Sequence, residues 1–89
     1  MKRIKFLDIT PDMFDDIKGK EVTVFFYENG TIVKSVSGKV RQIERSAFVG
    51  ELKSLLVAID LDNNRSVTVE EVLRFIDSSS TKQVYVEYK

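Results

Sequence analysis

The sequence predicts a mainly β fold, a five-stranded small barrel preceded by a short α-helix, and three observations carry that expectation. In Glu21–Tyr27, Val22, Val24 and Phe26 alternate with Thr23, Phe25 and Tyr27, and the run leads into Asn29-Gly30. β-Branched and aromatic residues suit a pleated, half-buried surface, and Asn-Gly tolerates the two positive φ angles of a type I′ hairpin turn. At the far end Gln83–Tyr88 alternates again, with Val84, Val86 and Tyr88 on one side. Finally, a lone hairpin is marginal in water. Reading residues 54–70 as strands completes a five-stranded sheet, whereas reading them as helix strands the hairpin.

The first element is the helix, over about residues 11–18. Thr10 is a good N-cap, Pro11 is pre-set for the first helical position and Asp12 suits the positive end of the dipole. Met13, Phe14 and Ile17 share a face and Gly19 supplies a stop. Two turns cannot stand alone, so this face must lie on something. The barrel is expected over about 21–88. Its return strand carries Ile32, Val33, Val36, Val40 and Ile43, and Gly38 predicts a bulge or sharp bend. A loop is expected from Arg45 to Ser54, with Phe48 and Val49 at its tip.

Asp60–Glu71, DLDNNRSVTVEE, raises a separate question, because it nearly has the oxygen spacing of an EF-hand calcium loop. Asp60, Asp62, Asn64, Ser66 and Glu71 would be the ligands, between a helix carrying Leu52, Leu55, Leu56 and Ile59 and one carrying Val72, Leu73 and Ile76. The same residues read as a hairpin, with Leu55, Val57, Ile59 and Leu61 on one face and a turn at Asn63-Asn64. The hairpin is preferred. Arg65 stands where the calcium loop needs glycine, at a cost of about 1–2 kcal/mol, no second loop of this kind is present, and Asp and Asn gather at turns for their own reasons.

Composition excludes much chemistry. Eighty-nine residues, 43% of them apolar, suit one domain spanning 1–89. Basic and acidic side chains number 14 each, without the basic excess usual in proteins that bind phosphate backbones. The absence of Cys and His removes disulfides, thiolate nucleophiles, the usual zinc ligands and imidazole bases. Paired carboxylates at Asp15/Asp16 and Glu70/Glu71 point apart as sequence neighbours. The expectation is a non-enzymatic protein without cofactor. The N-terminus lacks the apolar run of a secretory signal and no run approaches a membrane span, so a cytoplasmic address and no membrane association are expected.

The order of elements, with the bent strands after YENG and the second hairpin at DNNRS, resembles the Sm-like small barrels of bacteria or phage. VTVFFYENGTIVKSVSGKVRQI and LLVAIDLDNNRSVTVEEVLRFI are similar to the YolD-like family, and the acidic segment DITPDMFDDI ahead of the barrel resembles the Rof family of Rho inhibitors. The resemblance implies a regulatory or accessory protein and carries over no site residues.

Phe25 and Tyr27 lie opposite the expected core face of Val22, Val24 and Phe26, as a candidate platform for bases or a protein partner. The structural alternative, which the need of the helix for a surface favours, is that Met13, Phe14 and Ile17 cover them. Residues 31–53 carry a charge of +3 and residues 54–77 a charge of −3. Lys39, Arg41 and Arg45 are therefore either a patch for an acidic partner or one side of cross-strand charge pairing, the latter preferred. Phe48 is a partner-binding finger or a plug for the barrel. The leading partner is another protein, met through an edge strand or the Phe48 loop, with a homo-oligomer joined by edge strands as one form of it. Nucleic acid, bound by Lys39, Arg41 and Arg45 with Phe25 or Tyr27, is the alternative, and calcium the second alternative.

Overall fold

A computed structural model describes residues 1–48, 53–77 and 79–89. The chain is mainly β, as expected. Six strands, β1 (Lys2–Lys5), β2 (Glu21–Glu28), β3 (Thr31–Phe48), β4 (Lys53–Leu61), β5 (Ser66–Thr68) and β6 (Lys82–Tyr88), form one sheet in the order β1-β6-β2-β3-β4-β5. Every pairing is antiparallel. The five expected strands are all present. Two things differ from the expectation: Lys2–Lys5 adds a sixth strand beside β6, and the sheet is open, with β1 and β5 at its edges, rather than a closed barrel.

The 18-residue strand β3 joins two leaves of the sheet, pairing with β2 over Thr31–Lys39 and with β4 over Val40–Phe48. Its turn from β2 is the expected one, with Asn29 at φ 52° and Gly30 at φ 78°. The ladder irregularities fall at Val33, Arg41 and Val57, not at Gly38, which pairs regularly with Val22. Glycine is needed at 38 because the β4–β5 turn crosses there. A Cβ on Gly38 would stand 3.1 Å from Leu61 Cβ. That turn is tied down when Asp62 Oδ1 accepts the Lys39 amide and Asn63 Nδ2 donates to the Ser37 carbonyl.

The expected helix is present as a 3-10 turn, Pro11–Met13, running into α1 (Phe14–Ile17), and Gly19 ends it at φ 87°. Phe14 and Ile17 enter the core with Val22, Val24, Phe26, Ile59, Leu61 and Val86. Phe6, the first residue of a 3-10 turn at Phe6–Asp8, and Ile9, which follows that turn, join the same core.

β5 lasts only three residues, because a second helix, α2 (Val69–Ile76), starts where it stops. Thr68 caps that helix by accepting the Glu71 amide at 3.0 Å, the first half of a Thr-x-x-Glu capping box. Val72 is buried, and Phe75 meets Phe26 edge to face with centroids 5.2 Å apart. The expected extended conformation thus holds from Leu56 to Leu61 and from Ser66 to Thr68, and ends at Val69.

The helix–loop–helix that calcium binding requires is not formed, since the entering element is the strand β4. In the turn the left-handed residue is Asn64, at φ 63°, and Leu61 N donates to the Arg65 carbonyl at 2.7 Å. Asp60 lies in β4 opposite Gln42, and Glu71 is ion-paired with Lys34 at 2.9 Å. Side-chain oxygens of Asp62, Asn63, Thr68 and Glu71 are engaged in the turn, the helix cap and the ion pair to Lys34.

Candidate functional site

On β2 and β6 the two faces of the sheet part cleanly. Val22, Val24, Phe26, Val84, Val86 and Tyr88 are buried on the inner face with Phe14 and Ile17. The helix therefore lies on the face opposite Phe25 and Tyr27, and the expectation that it covers them is overturned. Both remain half-buried on the outer face. The sequence could not distinguish the two faces of β2, because apolar side chains project from both.

The sheet register brings in residues the sequence reading missed. Phe25 stands beside Tyr85, and Tyr27 beside Gln83. Ring centroids are 6.1 Å apart for Phe25–Tyr27 and 5.6 Å for the edge-to-face pair Tyr27–Tyr85. From the edge strand β1, the Arg3 guanidinium lies 4.2 Å from the Tyr85 centroid and 5.0 Å from that of Tyr27, within cation–π range of both. Small polar groups border the rings: Ser35 and Ser37 on β3, and Thr23, whose hydroxyl is 3.0 Å from that of Ser37. Tyr85 was legible as the odd-numbered alternate of Val84 and Val86. Arg3 was not, because β1 is four mostly polar residues whose partner strand is at the other end of the chain.

Lys39, Arg41 and Arg45 are not gathered with those rings. Lys39 pairs with Glu21 in the ladder, and Arg41 sits at a bulge. Arg45 is about 20 Å from Lys39 along the strand at some 3.3 Å per residue, its guanidinium 5.7 Å from the Phe14 centroid. The preferred alternative, charge pairing across the β3–β4 ladder, fares no better, since Arg45 stands opposite Leu56 and Glu44 opposite Ala58. Lys34–Glu71 is the ion pair that joins the two charge blocks among the described residues. On the same face Glu44 and buried Asp60 are diagonal neighbours, and the Asp60 carboxyl holds that of Glu44 above its ordinary range, opposed by Arg41. Asp16 bonds both Lys2 and Lys20 at 3.1 Å, and these bonds, Lys2 first, hold its carboxyl below the ordinary range.

The expected loop at Arg45–Ser54 is shorter than the sequence suggested, since β3 runs to Phe48 and β4 starts at Lys53. The Phe48 side chain, and all of Val49 and Gly50, lie outside the described residues.

A second surface lies beside β4. β5 pairs only with Ala58–Asp60, so Lys53–Val57 has β3 on one side and no strand on the other among the described residues. Next to that bare edge is a groove of about 200 Å³ lined by Phe6, Leu7, Ile9, Leu55, Leu56 and Val69, all apolar. Leu7 is 43% exposed, Leu55 49% and Val57 40%. The edge is bare because Thr68 turns the chain into α2 where β5 would otherwise continue along β4.

Among the described residues no group of three or more acidic side chains is placed to hold a metal ion, and no helix is long and apolar enough to cross a membrane. Comparisons with protein-family models, with curated proteins and with solved structures found no match to this chain.

Proposed function

We propose that this chain is a small non-enzymatic protein-binding module that captures an extended segment of its partner as a strand added to β4. The observation that carries the reading is the bare edge of Lys53–Val57 running beside an all-apolar groove. Strand addition draws affinity from main-chain hydrogen bonds and specificity from pockets for alternate side chains, and this edge offers both. Phe6 and Ile9 form the buried floor, and Leu7 and Leu55 the exposed lips. The preferred segment carries apolar residues at every second position. The other edge is less suited, because β1 presents Lys2, Arg3 and Lys5, and charged edge strands resist pairing. The regulatory or accessory role implied by the YolD-like and Rof resemblance agrees with this reading.

The test is site-directed photocrosslinking in the native cell, with the probe at Leu55 and a control probe at Leu73 on α2, which is equally exposed. A discrete adduct at Leu55, absent at Leu73 and abolished by Val57→Lys, is expected, with amide exchange at Leu55–Val57 slowed by the purified partner. An adduct of twice the mass of this chain would identify the partner as a second copy. An adduct indifferent to Val57→Lys would dispose of the edge as the contact.

A further inference from the structure

We infer that the outer face of the leaf formed by β1, β6, β2 and the first half of β3 binds single-stranded nucleic acid, stacking unpaired bases on Tyr85, Phe25 and Tyr27. Two successive outward-facing rows of the sheet hold the rings. One reads Lys5, Tyr85, Phe25, Ser35 across the four strands, and the other Gln83, Tyr27, Ile32. Tyr85 comes from one central strand of this leaf and Phe25 and Tyr27 from the other, on the face that no helix covers among the described residues. A sheet face with aromatic residues on adjacent strands accepts bases whose faces are free, as in a single strand, and does so without regard to sequence because every base has a π face.

Charge decides between this ligand and an apolar protein side chain. Within the two rows the charged groups are Lys5 and the Arg3 guanidinium that leans over Tyr85 and Tyr27. Of the carboxylates of this face, Glu87 is in the adjoining row, opposite Arg3, and Glu21 is one row beyond it, opposite Lys39; both line a pocket that reaches Phe25. The rings are thus bordered by Arg3 and Lys5 on the β1 side, by Ser35 and Gln83 within their own rows, and on one flank by Glu87 across from Arg3. A ligand with flat bases and an anionic backbone satisfies rings and cations together, whereas an apolar side chain would give the Lys5 ammonium and the Arg3 guanidinium no anion to meet, and neither is in an ion pair among the described residues. Arg3 can both stack on a base and bond a phosphate.

Two cations set a small electrostatic contribution. With about 0.7 counterions released per phosphate neutralised on a single strand, the slope of log affinity against log salt is about −1.4. This accommodates a chain of zero net charge.

The experiment is fluorescence anisotropy of a labelled oligothymidylate about 12 nucleotides long, within the span such surfaces cover, titrated with the full chain at low and at physiological salt. Binding with the shallow slope above is expected. Tyr85→Ala and Phe25→Ala should each weaken it by about fivefold or more. Tyr85→Phe should keep most of it, and Arg3→Met should weaken it and flatten the slope by about 0.7. Leu73→Ala should leave it unchanged, and the same oligonucleotide in a duplex should bind less well. Circular dichroism on each variant confirms that the sheet is intact. The inference is overturned by no anisotropy change at low salt, by equal affinity for duplex and single strand, or by binding undiminished in Tyr85→Ala and Phe25→Ala. A partner adduct from a photoprobe at Phe25, in place of oligonucleotide binding, would also overturn it and assign the face to protein.

Discussion

Gly38→Ala tests whether the β4–β5 turn is seated on β3 as described. The added Cβ would stand 3.1 Å from Leu61 Cβ, 3.2 Å from Asp62 Oδ1 and 3.3 Å from Asn63 Nδ2. Carbon atoms in good contact are about 3.5–4.0 Å apart, so the methyl group arrives about half an ångström too close to Leu61. Leu61 is fully buried, and Asp62 and Asn63 are held to the Lys39 amide and the Ser37 carbonyl, so none of the three can step aside alone. The turn must lift as a unit. Overpacking of this kind costs about 1–3 kcal/mol, and the lower unfolded-state entropy of alanine offsets about 0.4–1 kcal/mol. The net is a loss of about 1–2 kcal/mol, or about 5–15 °C in Tm for a domain of this size. Thermal unfolding followed by circular dichroism reads it directly. Adding Asp62→Ala removes one neighbour and loosens the turn, so the double variant should be more stable than the sum of the singles by about 0.5 kcal/mol or more. Gly30→Ala is the control. Its φ is 78° with nothing within 4 Å of the new methyl group, so it pays about 1–2 kcal/mol for its backbone alone and should be additive with Asp62→Ala. A Gly38→Ala chain as stable as the parent, or additivity between Gly38→Ala and Asp62→Ala, would refute the close approach.

Thr68→Ala removes the acceptor of the Glu71 amide and should cost about 1 kcal/mol, read as a lower urea midpoint, while Thr68→Ser should restore most of it. Glu44 binds its proton more tightly folded than unfolded because of Asp60. Its contribution to stability is complete below its ordinary value of 4.5 and is lost as pH climbs through the raised folded value. Glu44→Gln should therefore gain in urea midpoint on the parent as pH rises from about 4 to 7. Asp16 is the reverse case. Its contribution is present above 3.8 and is lost as pH falls through the depressed folded value, so Asp16→Asn should lower the midpoint at neutral pH and converge with the parent in strong acid.

What could be read from the sequence was whatever neighbours in the chain decide. Alternation in Glu21–Tyr27 and Gln83–Tyr88, the Asn29-Gly30 turn and the Thr10-Pro11 start each reflect local backbone preference, and each is present. The helix α2 (Val69–Ile76) corresponds to the exiting helix of the calcium reading, with Val72, Leu73 and Ile76, and the strand alternation of Val67 and Val69 argued against it. The signal that separates helix from strand here is the Thr68-x-x-Glu71 cap. β1 was hidden because pairing with a strand some eighty residues away, between Lys2 and Tyr88, leaves no local trace in Lys-Arg-Ile-Lys. The candidate site was half legible. Phe25 and Tyr27 stood out by type, but Tyr85 and Arg3 joined them only through the register of β6 with its neighbours, and the basic residues of β3 proved too far apart along one strand to act with them.

The pairing of β1 with β6 has a bearing on how this chain is made. During synthesis the first strand leaves the ribosome long before its mate exists, and β2, which also pairs with β6, waits with one side open. Acquisition of the native sheet is therefore deferred until Lys82–Tyr88 has been translated, and a nascent chain stalled before Lys82 would present an unpaired β2 to chaperones.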